Sequence, residues 1–492
     1  MKTYKKYLLS GLMLLLSAGC FTSCDYVNIE PEDTVPEEAV DYTDLSDMYA
    51  PVSGLYGKMR TSILHYIINF QIVIRDGDVW SGRVDDQGQL VSVGREFNYG
   101  SFWGYKEMWN QIYGTIKTAN AALQSLDAYA ENITDQSMMK TNLSYQGEVK
   151  IIRAFCYYLL AQEFGAVTIL HSNSQTDMTR STRDAVLRYA IEDLQFAIDN
   201  CEKVNPKAAS HEGAYTAYTA AALAAKAYLI LGDYPNVENM TNMIINSNQF
   251  ELYPDFYELF KLPGRLCSES LMEVQGTDFG EGAGDQITMG NFFSAAGPTI
   301  KNVETGLSVG GWNFVGYETS FQEWAAQRGE TIRATTTFLR GGEETPSGDM
   351  VSMPGNSQNT NCWNGKWYLP TNQLTPGRTN YGGANNARIL RYAEVLLMNS
   401  EALIRQGKSG DEPFNKVRVR ANMPTISGVT INDVLDERRM ELCCEWGNRY
   451  ADLLRTGLAA QVLPYWSPDK AYYPIPTEHL ADYPELREDP ID

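Results

Sequence analysis

A serine between two glycines is the most nucleophile-like motif in the chain. Gly306-Leu307-Ser308-Val309-Gly310 matches the G-x-S-x-G pattern, in which a serine on a sharp turn attacks an acyl carbon. That chemistry requires a strand before the turn, a helix after it and a histidine base. Residues 295–305 lack the apolar pattern of a strand core, and Gly311 follows directly. None of the four histidines is close to Ser308 in sequence. We therefore interpret the motif as a chance match.

Carboxylates and cysteines offer no clearer catalytic or metal-binding pattern. The chain has 61 Asp and Glu residues, but no two of them stand out as the acid and nucleophile of a glycosidase. The acidic run from Asp76 to Asp86 could hold calcium, yet Ser81 stands where an EF-hand loop needs glycine. A solvated acidic loop is the preferred interpretation. No Cys-x-x-Cys spacing indicates zinc. We expect no metal and no cofactor.

Composition and charge narrow the class of partner. The 492 residues are 43% hydrophobic and 21% charged, as in an ordinary globular protein. The net charge is −21 and the sequence pI is about 4.7. Nucleic acid is excluded as a partner on this ground, because phosphate binding needs a basic face. Simple adhesion to anionic lipid is disfavoured for the same reason.

The N-terminus has the pattern of a bacterial lipoprotein signal. Three lysines within residues 2–6 precede the short apolar run 8–16, which is too short to span a bilayer. Small residues precede both Cys20 and Cys24. A cysteine in that position becomes the acylated first residue, and a plain secretory signal is the alternative. We predict a signal peptide at 1–23 and an acidic, Pro-containing tether at 24–45, followed by a single domain at 46–492.

Apolar residues at helical spacing dominate two stretches of that domain, about 104–260 and about 389–460. The predicted helices are 105–130, 145–164, 182–201, 215–231, 236–246, 389–406, 413–422, 432–446 and 448–455. Residues 220–234 have the small-residue and Leu-Gly-x-Tyr pattern of a tetratricopeptide helical pair. Gly, Asn, Ser and Thr are dense between about 262 and 388. The prediction is a mostly α protein, a tetratricopeptide-like scaffold of helical pairs with a loop-rich insertion that carries the ligand site.

Charged residues at 437–441 and at Arg391 and Glu394 fall on the predicted helices. A docking cluster for a partner is one interpretation. Ion pairs within the scaffold, at helical spacing, are preferred. Trp109 and Trp446 lie on apolar stripes and are predicted to pack in the core.

Three ordered blocks of sequence resemble the SusD/RagB family of surface glycan-binding lipoproteins. The first contains Trp-Asn-Gln-Ile-Tyr at 109–113 and continues through 148–165. The second is the 220–234 unit with 252–260. The third runs from 390 through the Tyr-Pro-Ile-Pro segment at 473–476. The start Thr22-Ser23-Cys24-Asp25 is also similar to the family and favours Cys24 as the anchor, whereas Asp489-Pro490-Ile491 departs from the family's usual Asn-Pro-Gly.

The resemblance implies a function without chemistry. Such a protein is anchored through the acylated cysteine, here Cys24, in outer-membrane lipid at the cell surface. It captures an oligosaccharide or polysaccharide and delivers it to a SusC-like TonB-dependent transporter, which it covers as a lid. Three alternatives remain open: a secreted glycoside hydrolase, a lid for a peptide nutrient, and an adaptor that binds only protein.

Sugar rings have apolar C–H faces and polar edges, so aromatic side chains in polar segments are the candidate ligand contacts. Trp80 and Trp312 lie in such segments, and their neighbourhoods are similar to those that supply ligand-facing aromatics in the family. The alternative for both is packing as loop anchors. The weaker aromatic candidates and the candidate hydrogen-bonding residues are Tyr317, Phe292, Asp78, Arg83 and Asn313.

Overall fold

The structure is a computed structural model that describes residues 40–81, 88–276, 297–353, 361–375 and 384–492. Residues 46–492 belong to one compact unit. Three residues singled out by the sequence, Cys24, Arg83 and Phe292, lie outside the described residues.

The first half of the compact unit is a stack of helices. They are α1 (Ala50–Ile63), α2 (Tyr66–Val73), α3 (Gly88–Glu96), α4 (Trp103–Ala130), α5 (Gln136–Glu163), α6 (Arg183–Asn200), α7 (Ala217–Leu231) and α8 (Tyr234–Ile245). Each helix from α4 to α8 packs against the next in sequence, which is the arrangement of tetratricopeptide-like pairs. This confirms the predicted mostly helical fold. The helices α1 to α3 were not predicted.

Local capping explains where these helices begin and end. The prediction placed the start of α5 at 145, where its apolar stripe begins. The helix begins earlier because the Asp135 carboxylate accepts hydrogen bonds from the backbone N–H groups of Ser137 and Met138. α7 ends as predicted at Gly232, which adopts the left-handed conformation with φ 72°.

The second half mixes short strands and helices. The strands are β1 (Val79–Ser81), β2 (Ser270–Val274), β3 (Ile300–Asn302), β4 (Ser308–Val309), β5 (Val315–Tyr317), β6 (Phe338–Arg340), β7 (Asp349–Val351), β8 (Cys362–Asn364) and β9 (Ala387–Arg391). The helices are α9 (Thr319–Gln327), α10 (Ile332–Thr337), α11 (Tyr392–Arg405), α12 (Asp411–Arg420), α13 (Ile431–Glu441), α14 (Asn448–Arg455), α15 (Ala459–Val462) and α16 (Thr477–Asp482).

Three small sheets organise this half within the described residues. One has the order β1-β5-β8-β6, with Trp80 opposite Gly316 and Leu339 opposite Trp363. The second has the order β4-β3-β7, and the third pairs β2 with β9. α11 packs on α8 and so continues the helical stack.

Two further predicted helix boundaries are wrong. Residues 389–391 are the end of strand β9 rather than the start of a helix, because they pair with β2. α13 ends at Glu441 rather than at 446, and Cys444 and Trp446 adopt positive φ of 57° and 46°. A helix cannot continue through that conformation.

A buried network of charges holds the elements of the second half together. Arg391 on β9 contacts Glu445 at 2.8 Å and Glu441 at 3.1 Å. Arg333 on α10 contacts Glu437 at 2.6 Å, and Lys366 contacts Glu445 at 2.6 Å. Burial alone would raise the pKa of Glu441, but the guanidinium groups of Arg420, Arg391 and Arg333 hold that pKa at about 2. These charged groups form ion pairs within the scaffold, which was the preferred interpretation of the sequence. The paired residues lie on different elements, however, rather than along one helix.

Contacts distant in sequence fix the segment before β1. Arg439 Nε on α13 donates to Asp78 Oδ2 at 2.8 Å. Arg75 forms a fully buried ion pair with Glu163. Tyr473 donates its hydroxyl hydrogen to the carbonyl oxygen of Gln71 at 2.8 Å. Residues 71–78 therefore depend on residues from much later in the chain.

Candidate functional site

Trp80 lies in the interior. Only 1% of its surface is exposed, and it packs in one apolar cluster with Trp363 and Tyr368. The opposite strand leaves room for it: a Cβ on Gly316 would stand 2.3 Å from the Trp80 ring. Protein atoms therefore surround the indole. Trp80 is placed as the alternative interpretation of the sequence has it, packed in the interior.

Two further candidates are also buried. The Tyr317 hydroxyl donates to Oδ1 of Asn364 at 3.1 Å, and none of the Tyr317 surface is exposed. The Asp78 carboxylate is held by Arg439, as described above, and only 4% of its surface is exposed. These side chains position β1 and β5 and present no surface to a ligand.

Trp312 is in the opposite situation, with 43% of its surface exposed. Its ring centroid lies 6.0 Å from that of Tyr66, edge to face, and 5.8 Å from that of Phe314. Asn313 follows in the left-handed conformation with φ 62°, and its N–H donates to the carbonyl oxygen of Gly297. The Asn313 side-chain oxygen is buried and accepts no hydrogen bond from the described residues.

Two aromatic residues that sequence reasoning missed extend this exposed group. Trp103, the first residue of α4, is 47% exposed, and its ring centroid lies 6.4 Å from that of Tyr66. Tyr66 is the first residue of α2 and is half-buried between the two tryptophans. We call Tyr66, Trp103 and Trp312 the aromatic surface. Buried Phe70 and Phe314 support it from below, with ring centroids 6.5 Å apart.

The aromatic surface is electrically almost neutral. His65 stacks on Tyr66 with ring centroids 4.8 Å apart, and burial lowers the pKa of His65, so its ring is uncharged at neutral pH. Burial, and after it the Glu107 carboxylate, raises the pKa of Tyr66. Glu107 lies one helical turn after Trp103 on α4. Exposed aromatic rings beside a neutral imidazole suit an uncharged sugar ring that carries hydroxyl groups.

The nucleophile-like motif does not form a catalytic serine site. Ser308 lies on β4, in a hairpin with β3, and its hydroxyl donates to the carbonyl oxygen of Ile300 at 3.1 Å. This differs from the strand–turn–helix that a nucleophile elbow needs. Among the described residues, no group of three or more His, Cys, Asp or Glu side chains is placed to hold a metal ion.

A large cleft lies elsewhere. It has a volume of about 970 Å³ and is bounded by α8, α11, α12 and the segment 246–254. Its aromatic residues, Phe250 and Tyr392, are buried. The cleft therefore lacks the exposed ring faces of the aromatic surface, which is the better candidate for ligand recognition.

Comparison with known proteins identifies the family. The sequence model of the "SusD family" matches residues 311–487, and the model described as "Starch-binding associating with outer membrane" matches residues 96–229. The chain belongs to the SusD/RagB family. Its SusD-like relative P2 from Formosa agariphila is 26% identical over 93% of this chain and 92% of that protein.

Solved SusD-like structures share the fold. The surface glycan-binding protein A of Bacteroides thetaiotaomicron, in complex with laminarihexaose, matches with a TM-score of 0.74 and 23% identity, over 89% of this chain and 97% of that chain. A structure solved with xylogluco-oligosaccharide matches with a TM-score of 0.75 and 18% identity, over 90% and 99% of the two chains. The SusD fold predicted from the three sequence blocks is confirmed.

The sequence contains a usable signal for one of the two missed aromatic residues and none for the other. Trp103 lies in the polar, Gly-containing segment 98–104, so the rule that selected Trp80 and Trp312 also applies to it. Tyr66 lies in the apolar stretch 63–74, where an aromatic residue looks like core. Its position at the start of the short helix α2 depends on tertiary structure, and no local sequence pattern indicates it.

Proposed function

We propose that this SusD-family protein is a cell-surface lipoprotein that binds a glycan and performs no catalysis. The observation that carries the proposal is the aromatic surface: three aromatic residues from α2, α4 and the 310–314 segment, two of them tryptophans that are more than 40% exposed. Exposed tryptophans in a group are costly to leave in water and mark an interaction site.

The aromatic surface matches the chemistry of a sugar chain. Ring faces of Trp103 and Trp312 can cover the C–H faces of successive sugar rings, and each such burial contributes about 25 cal/mol per Å² of apolar area. The neutral state of His65 keeps a fixed positive charge away from the surface.

The relatives indicate which glycans to test first. Two proteins of the same fold carry laminarihexaose and xylogluco-oligosaccharide in their structures. Both ligands are uncharged and rich in glucose. We infer that the ligand of this chain is also a neutral plant or microbial polysaccharide, and the neutral aromatic surface supports this inference.

The partner and the location follow from the family. We propose that Cys24 is acylated and anchors the chain in outer-membrane lipid, with residues 25–45 as a tether, and that the compact unit covers a SusC-like TonB-dependent transporter. None of the described helices is long and apolar enough to cross a membrane. The description of the matching family, associated with the outer membrane, supports this location.

Affinity electrophoresis against a panel of polysaccharides tests the binding. The protein without residues 1–24 is run in gels containing laminarin, xyloglucan, starch, host glycans or no glycan. We expect retardation by at least one glycan, and its loss in the double variant Trp103→Ala/Trp312→Ala. The control is Val419→Ala, an exposed apolar side chain on α12 beside the cleft of about 970 Å³.

Three other outcomes separate the alternatives. A rise in reducing ends during incubation would identify a glycoside hydrolase. Retardation that survives in the double variant would move the site away from the aromatic surface. Absence of retardation by every glycan, with capture of peptides or of the transporter alone, would favour a peptide lid or a protein adaptor. Co-purification of the full-length lipoprotein with its transporter tests the partner.

A further inference from the structure

The solvent face of α4 leads away from the aromatic surface in one direction. Trp103, Asn110 and Lys117 are all exposed and are spaced by seven residues. Residues seven apart in an α-helix drift by only about 20° around its axis, so these three side chains lie almost in line. At 1.5 Å per residue, Asn110 lies about 10 Å from Trp103 along the axis, and Lys117 about 21 Å.

A pocket lies at the far end of that line. It has a volume of about 240 Å³ and lies between α4, the segment 168–178 and the C-terminal residues 479–486. We call it the C-terminal pocket. Its walls are mostly apolar and aromatic: Trp109, Tyr113, Leu170, Met178, Tyr483 and Leu486. It is smaller than the roughly 300–1,000 Å³ of pockets for drug-sized ligands.

The aromatic walls are held rigidly. The ring centroids of Trp109 and Tyr113 lie 4.8 Å apart, and Phe164 supports Trp109 edge to face at 5.1 Å. The Tyr113 hydroxyl donates to the carbonyl oxygen of Thr168 at 2.8 Å. Tyr483, by contrast, is 38% exposed and forms the rim. The pocket is therefore preformed and has one accessible aromatic ring at its mouth.

Three polar groups converge on the same pocket. His479 Nε2 lies 2.8 Å from Oδ1 of Asn110. Burial lowers the pKa of His479, so the imidazole is neutral and keeps one nitrogen as a hydrogen-bond acceptor. The Lys117 ammonium lines the pocket and has no ion-pair partner among the described residues. Aromatic walls with an amide, a neutral imidazole and an ammonium form a donor and acceptor set suited to ring hydroxyls.

We propose that the C-terminal pocket is a second sugar subsite, which takes one pyranose residue of the same glycan chain that rests on the aromatic surface. This inference rests on the proposed function. The line of Trp103, Asn110 and Lys117 provides the path, and its length corresponds to a few sugar rings. A chain that reaches both places gains affinity because its second contact is intramolecular. The ligand is therefore an extended chain rather than a single sugar.

The test is the dependence of affinity on chain length. Laminari-oligosaccharides from the disaccharide to the hexasaccharide, and xylogluco-oligosaccharides, are titrated into the protein by calorimetry. For the unmodified protein we expect affinity to rise until the chain spans both places. In Tyr483→Ala and in Lys117→Ala, the longest oligosaccharide should bind about 2- to 12-fold more weakly, the range for one lost aromatic or polar contact. The shortest should bind as before.

Lys416→Ala is the control for Lys117→Ala, because Lys416 is also an exposed lysine on a helix, and it lies at the cleft beside α12. Equal affinities of all variants for every chain length would overturn the second subsite and leave the proposed function intact. A loss that is equal for short and long chains would also overturn it, since the effect would then be general. No binding of any oligosaccharide by the unmodified protein would count against the proposed function itself, and the second subsite would fall with it.

Discussion

Two groups of aromatic residues in this protein have similar sequence surroundings and opposite positions. Trp80, Trp363 and Tyr368 form a buried cluster, in which each residue is at most 1% exposed. Tyr66, Trp103 and Trp312 form the aromatic surface. Both groups draw tryptophans from segments rich in Gly, Asn and Ser. The difference between them is made by what packs opposite the ring.

The strand opposite decides the outcome for Trp80. Gly316 leaves a gap on β5 that the indole fills, and β8 adds Trp363 on the other side. Trp312 packs edge-on against Tyr66 and Phe314 and lies outside a strand. A tryptophan between polar residues is thus exposed in one place, where we propose that it contacts the ligand, and buried between strands in the other. Binding and stability should respond to the two groups separately.

Truncating a tryptophan of the buried cluster should cause the largest change, a loss in the free energy of unfolding. Trp80→Ala removes a fully buried indole between strands that cannot collapse, so we expect a loss of about 3–5 kcal/mol in the free energy of unfolding. Urea denaturation followed by circular dichroism measures it. The fraction that remains folded should still bind glycan. Normal stability together with lost binding would instead break the comparison, because Trp80 would then act on the ligand.

The buried Asp76, four residues before Trp80, should make the free energy of unfolding depend on pH. Burial, and after it the Asp78 carboxylate, raises the pKa of Asp76 to about 7. Between the ordinary pKa of about 3.8 and about 7, the folded state then holds more protons than the unfolded state, so stability falls as pH rises. Asp76→Asn keeps an oxygen for the N–H groups of Asp78 and Val79. It should flatten this decline by roughly 1–4 kcal/mol, measured from melting curves between pH 5 and 8. An unchanged slope would assign the decline to another group.

Truncation on the aromatic surface should affect binding alone. Trp312→Ala removes an exposed ring, so the free energy of unfolding should change by no more than about 0.5 kcal/mol. Glycan affinity should fall by about tenfold or more, as for a central aromatic contact. Calorimetric titration and thermal melting of the same sample measure both. A drop in melting temperature comparable with that of Trp80→Ala would show that Trp312 is also a wedge.

Tyr66 should give the smallest effect, because it contacts both tryptophans but is itself half-buried. Tyr66→Ala leaves Trp103 and Trp312 without their shared neighbour. We expect a loss of affinity of about 0.5–1.5 kcal/mol, the range for an aromatic pair. The combined variant Tyr66→Ala/Trp312→Ala should lose less than the sum of the single losses, since the residues touch. Strict additivity would mean that Tyr66 binds the glycan independently.

The scaffold could be predicted from sequence far better than the site. Apolar spacing and helix stops located the helices 182–201 and 448–455 within a residue or two, because those signals are local. Residue 391 was assigned to a helix although it ends β9, since the partner strand β2 lies more than a hundred residues earlier. Trp312 was selected by the polarity of its segment, while the burial of Trp80 depends on Gly316. Tyr66 had no local signal at all.

The contacts of residues 71–78 bear on how the protein is made. The Asp78 carboxylate cannot form its ion pair with Arg439, which lies 361 residues later in the chain, until that residue has been synthesised. Until then the first helices lack the contacts that fix residues 71–78. Contacts between residues so far apart in sequence are also slow to form. A nascent or partly exported chain would therefore carry its first segments unfinished, open to proteases and to wrong partners. Yield in the cell should depend on how quickly these distant contacts form more than on the strength of any single contact.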